Sequence, residues 1–139
     1  MITTLNRVNL SEFIKGFLGR RGIEVDIVYD ELDAYFAGLP DDEFRNGDSP
    51  AYADITSKRI ILIASRLTEL HLTGDELDMV LLHEAGHICN QSGNEKLADE
   101  FAMDYCERDD YSTLIHKLYP SKQAILNGPP EYRHRIMYW

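Results

Sequence analysis

Two histidines four residues apart, with a glutamate directly after the first, form the most reactive combination in this chain: His83-Glu84-Ala85-Gly86-His87. On a helix, positions four apart share a face, so both imidazoles can turn toward a single ion. Glu84 can then reach a water bound to that ion and act as general base. The pattern is HExxH, and the chemistry it predicts is zinc-dependent hydrolysis, most often of peptide bonds. The expectation is one Zn2+ per chain, His83 and His87 as ligands, and Glu84 as the catalytic base.

Such chemistry needs a rigid helix beneath it. Thr73-Gly74-Asp75-Glu76 has the capping-box form, with threonine at the N-cap and glutamate three residues later. Asp75 and Glu76 suit the positive end of the helix dipole. Leu77, Val80, Leu81, Glu84 and Ile88 follow with helical spacing, and Asn90 and Gly93 offer a stop, since both tolerate a left-handed turn.

Two histidines are too few for a catalytic zinc, which takes three protein ligands and keeps one position open. Seven residues separate His87 from Glu95, enough for a helix to end and the chain to reverse. Leu97, Ala98, Phe101, Ala102 and Tyr105 recur at helical spacing, so a second helix is expected there, with Glu95 in its first turn. Glu95 has two readings. It can complete a capping box in Ser92-Gly93-Asn94-Glu95, or it can be the third ligand, and the HEAGH stretch upstream favours the ligand. Asp99, four residues on and on the same face, is expected to accept the free ring N–H of a ligating histidine, and is the alternative third ligand. Glu100 is turned about 100° away from it.

These residues resemble the gluzincin peptidases, in which HExxH is followed by a metal-binding glutamate within an E-x-x-A-D-type motif, here Glu95-x-x-Ala98-Asp99. The stretch from Lys58 to Ala102 is most similar to the HtpX and CAAX-prenyl-protease family and its soluble miniature relatives, the minigluzincins. It offers the apolar Arg59-Ile60-Ile61-Leu62-Ile63, then Ser65-Arg66-Leu67-Thr68-Glu69-Leu70, then Asp75-Glu76-Leu77-Asp78-Met79-Val80. The ImmA/IrrE-type peptidases are similar over the same motifs. Such enzymes often carry His-Pro and then Arg-Ile near the C-terminus. Here Asn127-Gly128-Pro129-Pro130 precedes Arg135-Ile136 without that histidine, which leaves open the group that stabilises the oxyanion, with His134, Tyr132 and Arg135 as candidates. The resemblance implies a zincin-like domain whose edge strand, beside the active-site helix, pairs with an extended peptide. One strand of the Ala51–Ile63 region is the candidate for that edge.

Composition sets the remaining bounds. A chain of 139 residues, 44% hydrophobic and 27% charged, suits a single domain spanning 1–139 with one core. No apolar run approaches the roughly 20 residues that span a bilayer, and Met1–Asn6 lacks the form of a signal peptide. Two cysteines, Cys89 and Cys106, are too few for a disulfide framework and are expected as buried thiols in a cytoplasmic protein. A net charge of −10 argues against nucleic acid, whose phosphates call for clustered Lys and Arg. The expected partner is a peptide or protein substrate. Oligomeric state leaves no trace in the sequence.

The expected order is an N-terminal helix over Leu10–Leu18, a strand at Ile23–Tyr29, a hairpin of Ala51–Ile55 and Arg59–Ile63, the active-site helix, the second ligand helix, and an irregular helical C-terminal region. Between them, Asp30–Leu39 reads as either strand or helical turn and Pro40–Pro50 as loop. Together they make an α+β fold, helices on one face of a small, mostly antiparallel sheet. The segment from about 119 to 139 is expected as a docked tail or as a lid anchored by Tyr132, Tyr138 and Trp139. Three functions fit: a peptidase, a regulatory protease specific for one partner, or an inactive metal-binding interaction module.

Overall fold

In a computed structural model, residues 10–30 and 49–139 are described, and the fold is α+β. Beyond Asp30, the segment read as strand or turn (31–39) and most of the Pro40–Pro50 loop lie outside the described residues. Helix α1 (Glu12–Arg20) leads to strand β1 (Glu24–Val28), and β2 (Ala51–Asp54) turns into β3 (Arg59–Ile63). Helices α2 (Ala64–Leu70), α3 (Gly74–Asn90), α4 (Glu95–Met103), α5 (Arg108–Leu118) and α6 (Lys122–Asn127) follow, and a 3-10 helix (Pro130–Tyr138) ends the chain.

The sheet has the order β1-β3-β2. The expected hairpin is present, Tyr52 opposite Ile61 and Asp54 opposite Arg59, but β1 runs parallel to β3, so the sheet is mixed. A parallel partner leaves no local signature, because nothing within β1 records which way its neighbour runs. Alternation along β3 splits its side chains. Ile60 and Leu62 join the core made with α1, α3, α4 and α5, while Ile61 and Ile63 pack on the other face with Val28 and Tyr52. Among the described residues β2 is an edge, and it packs beside α3.

Helix α3 begins as its sequence directs. Thr73 Oγ1 accepts the Glu76 N–H at 3.2 Å, and a Glu76 carboxylate oxygen accepts the Thr73 N–H at 2.8 Å. It ends on neither expected residue. Gln91 takes the left-handed conformation at φ 50°, and the Ser92 N–H reaches back to the His87 carbonyl at 3.1 Å, a Schellman ending. Helix α2 was not anticipated. It continues directly from β3, with Ile63 as N-cap and no side-chain cap, so no punctuating residue announces it. The C-terminal region is more regular than expected, since α5 and α6 are α-helical and only residues 130–138 wind as 3-10. Cys106 is half-buried, whereas Cys89 is exposed, because it faces outward on the helix that carries His87 inward.

Candidate metal centre

The second half of α3 carries His83, Glu84 and His87, each about 6% exposed. Helix α4 lies close against this stretch because residue 86 has no side chain. A Cβ there would meet Phe101 Cβ at 2.9 Å and the Ala98 backbone at 3.1 Å. That approach brings the first two turns of α4, with Glu95 and Asp99, up to the two histidines. The cap of α4 is Asn94, whose side chain accepts the Leu97 N–H at 3.0 Å. Glu95 is therefore not the cap, and its carboxylate turns inward.

One oxygen, Glu95 Oε1, lies 3.0 Å from His83 Nε2 and 2.9 Å from His87 Nε2. The opposite ring nitrogens are already committed. His83 Nδ1 donates to Asp99 Oδ1 at 2.7 Å, and His87 Nδ1 donates to the Ser92 carbonyl at 2.9 Å. The turn that ends α3 thus also fixes the His87 ring. With N–H at Nδ1, a neutral imidazole is bare at Nε2. Two bare nitrogens facing one carboxylate oxygen repel it unless a cation or protons stand between them. Two ligands of a tetrahedral zinc at about 2.0–2.1 Å lie about 3.3 Å apart, within a few tenths of an ångström of this spacing. The donor set, two imidazoles and a carboxylate, fits a divalent cation of zinc type.

His83, Glu84 and His87 also group closely, with atoms all within 4.8 Å. Glu84 Oε2, however, stands 3.9 Å from His83 Nε2, farther back than Glu95, a position that suits a base acting on a water better than a ligand. Burial raises the Glu84 pKa to about 7; Glu95 adds to the rise, while His83, His87 and Arg135 oppose it. Burial also favours a neutral His83, but its bonds to Asp99 and Glu95 outweigh this and raise it to about 9. Burial would likewise raise Glu95, yet its bonds with the two histidines hold it down to about 2.

These shifts set a pH dependence for the metal-free protein. Raised folded-state pKa values at His83 and Glu84 contribute stability at low pH that is lost as pH climbs through them. Melting temperature without metal should therefore fall between about pH 4.5 and 9, first through Glu84 and then through His83. With zinc added the slope should shrink, since metal takes the place of the protons. A flat metal-free profile by calorimetry would contradict this assignment.

Asp99 is fully buried and gathers four donor groups from three elements. Oδ1 takes His83 Nδ1, the Tyr111 hydroxyl and, at 3.1 Å, Arg135 Nη2. Oδ2 takes Arg135 Nε at 3.0 Å and His134 Nε2 at 2.5 Å. Burial alone would raise this carboxyl, but the bonds from His134 and His83 and the Arg135 charge hold it well below the usual carboxylate range.

A cleft of about 520 Å3 opens on His83 and Glu84. Ser49, Pro50 and Tyr52 border it beside the β2 edge, and Tyr119, Ala124, Pro129 and Tyr132 border it from the C-terminal region. Arg66 secures the β2 border by donating to the Ser49 carbonyl at 2.7 Å and the Tyr52 hydroxyl at 2.9 Å. The three oxyanion candidates separate here. His134 is bonded to Asp99. Arg135 borders the cleft, but its guanidinium is taken up by Asp99 and, at 3.1 Å, by Tyr119 Oη. Tyr132 lines the cleft, its ring 4.5 Å from the Arg135 guanidinium carbon. Burial pushes the Tyr132 hydroxyl well above its usual range and the charges of Glu95 and Glu84 push it further, so it stays a proton donor.

The C-terminal region is thus docked. Tyr138 packs edge-on against Tyr111 at 5.3 Å, and Trp139 stacks on His116 at 3.9 Å. The sequence reading missed Tyr111, Tyr119 and the Ser92 carbonyl. Only Tyr111 carried a signal: a tyrosine on the apolar stripe of α5, with Leu114, Ile115 and Leu118, needs a partner for its hydroxyl once buried.

The chain matches no family model, no curated protein and no solved structure. Among the described residues, no helix is long and apolar enough to cross a membrane.

Proposed function

We propose that this protein is a zinc-dependent peptidase of gluzincin type, with His83, His87 and Glu95 holding the metal and Glu84 as catalytic base. The carrying observation is the convergence of two imidazole nitrogens, each with its other nitrogen tied down, on one carboxylate oxygen within 3.0 Å. Bound there, zinc would bring the pKa of water down to about 7 and polarise the scissile carbonyl. Glu84, at the wall of the cleft, takes a proton from the attacking water and returns it to the departing amine. The Tyr132 hydroxyl donates to the carbonyl oxygen as negative charge builds on it. An extended peptide pairs with the edge of β2, whose Tyr52 lines the same cleft. Two free thiols, one of them exposed, support placing it in the reducing cytoplasm.

Glu84→Gln keeps the shape and every metal ligand but removes the base. It should retain zinc and lose hydrolysis about 100- to 10,000-fold, measured by mass spectrometry on a peptide mixture. Near-full hydrolysis by the zinc-loaded variant would overturn the mechanism.

A further inference from the structure

The metal reading above rests on α3 and α4, yet a third part of the chain reaches the same atoms. We infer that the C-terminal 3-10 helix and the metal ion hold one another in place through Asp99, so that docking of this segment controls metal affinity. His83 Nδ1 and two groups of the segment, His134 and Arg135, share the Asp99 carboxylate. That carboxylate has no exposure to water. When the segment lifts, Asp99 loses its guanidinium and one imidazole together. A buried carboxylate stripped of those partners must turn or admit water, and His83 loses the acceptor that sets its ring.

The segment has ties that can be cut without touching Asp99. It is a nine-residue 3-10 helix without a side-chain cap, a geometry whose hydrogen bonds are poorer than those of an α-helix. Away from Asp99 its ties to α5 include Arg108 donating to the Met137 carbonyl, Ser112 donating to the Trp139 carbonyl at 3.2 Å, and the stack of Trp139 on His116, beside the packing of Tyr138 on Tyr111. None of these ties touches a metal ligand. Coupling between two sites is reciprocal: what the segment does for the metal, the metal does for the segment. His134, Arg135 and Tyr111 are then positioning residues that act on His83 through Asp99, and a partner that captured the segment would weaken the metal site.

His116→Ala and Trp139→Ala each remove the stack without touching Asp99. Zinc affinity by chelator competition, and amide exchange of residues 131–137 with and without zinc, should be measured on both variants and the wild type. Each variant should bind zinc about two- to tenfold more weakly, the range one ring stack can shift. In the wild type, zinc should slow exchange across 131–137. Zinc binding without slowed exchange there would overturn the coupling and leave the metal reading standing. So would variants whose segment exchanges faster at unchanged zinc affinity. If the protein takes up no zinc, the metal reading fails and the coupling is read without it, from the imidazole NMR signals of metal-free His83. Those signals should shift in both variants, and identical spectra would overturn the coupling.

Discussion

Arg135→Met should lower the unfolding free energy by about 3–5 kcal/mol, the usual cost of removing one partner of a buried ion pair. Methionine fills much of the same space, so the loss is chiefly electrostatic. Arg135 gives Asp99 two hydrogen bonds, at 3.0 and 3.1 Å, and a full positive charge, and the carboxylate left behind has no route to water. His83, His134 and the Tyr111 hydroxyl, which remain bonded to it, would have to compensate. Denaturant unfolding of the metal-free protein provides the number. Adding Asp99→Asn to this variant should recover part of the loss, because the uncompensated charge is then gone. A loss below about 1 kcal/mol, with no recovery in the double variant, would mean that Asp99 is not held as described.

Gly86→Ala carries the second large effect, and its sign is informative. In an ordinary helix interior alanine is more stable than glycine by about 0.5–1 kcal/mol. Here the new methyl group would lie 2.9 Å from Phe101 Cβ and 3.1 Å from the Ala98 backbone, and backbone cannot step aside. Helix α4 must move, taking Glu95 and Asp99 with it. We expect a destabilisation of about 1–3 kcal/mol and zinc binding at least tenfold weaker. A variant more stable than wild type with unchanged zinc affinity would show that close approach of α3 and α4 does not position the site.

How far the sequence could be read follows from where each signal lies. The start of α3 was legible because Thr73 and Glu76 satisfy each other's backbone within one turn. The four-residue spacings His83–His87 and Glu95–Asp99 were legible because a helix turns spacing into a shared face. Their meeting across two helices was expected from the motif, with Glu95 and Asp99 facing the histidines, but the close approach at Gly86 that permits it was not read. Gln91 as the left-handed stop escaped notice because glutamine has no special preference for that conformation; the backbone bonds from Gln91 to Ile88 and from Ser92 to His87 hold it there. The arrival of His134 and Arg135 at Asp99, some 35 residues along the chain, depends on how α5 and α6 fold back, and no local pattern encodes that. Ala64–Leu70 became a helix without a cap, and β1 found a parallel partner, for the same reason: tertiary contacts decided.

Zinc bound per chain, measured by elemental analysis of dialysed protein for the wild type beside Glu95→Ala, tests the central claim most directly. About one zinc in the wild type and a small fraction of that in the variant is the predicted result, since two histidines without the carboxylate leave a catalytic site one ligand short. Equal zinc in both proteins, or none in a wild type that takes none up on titration, would contradict it.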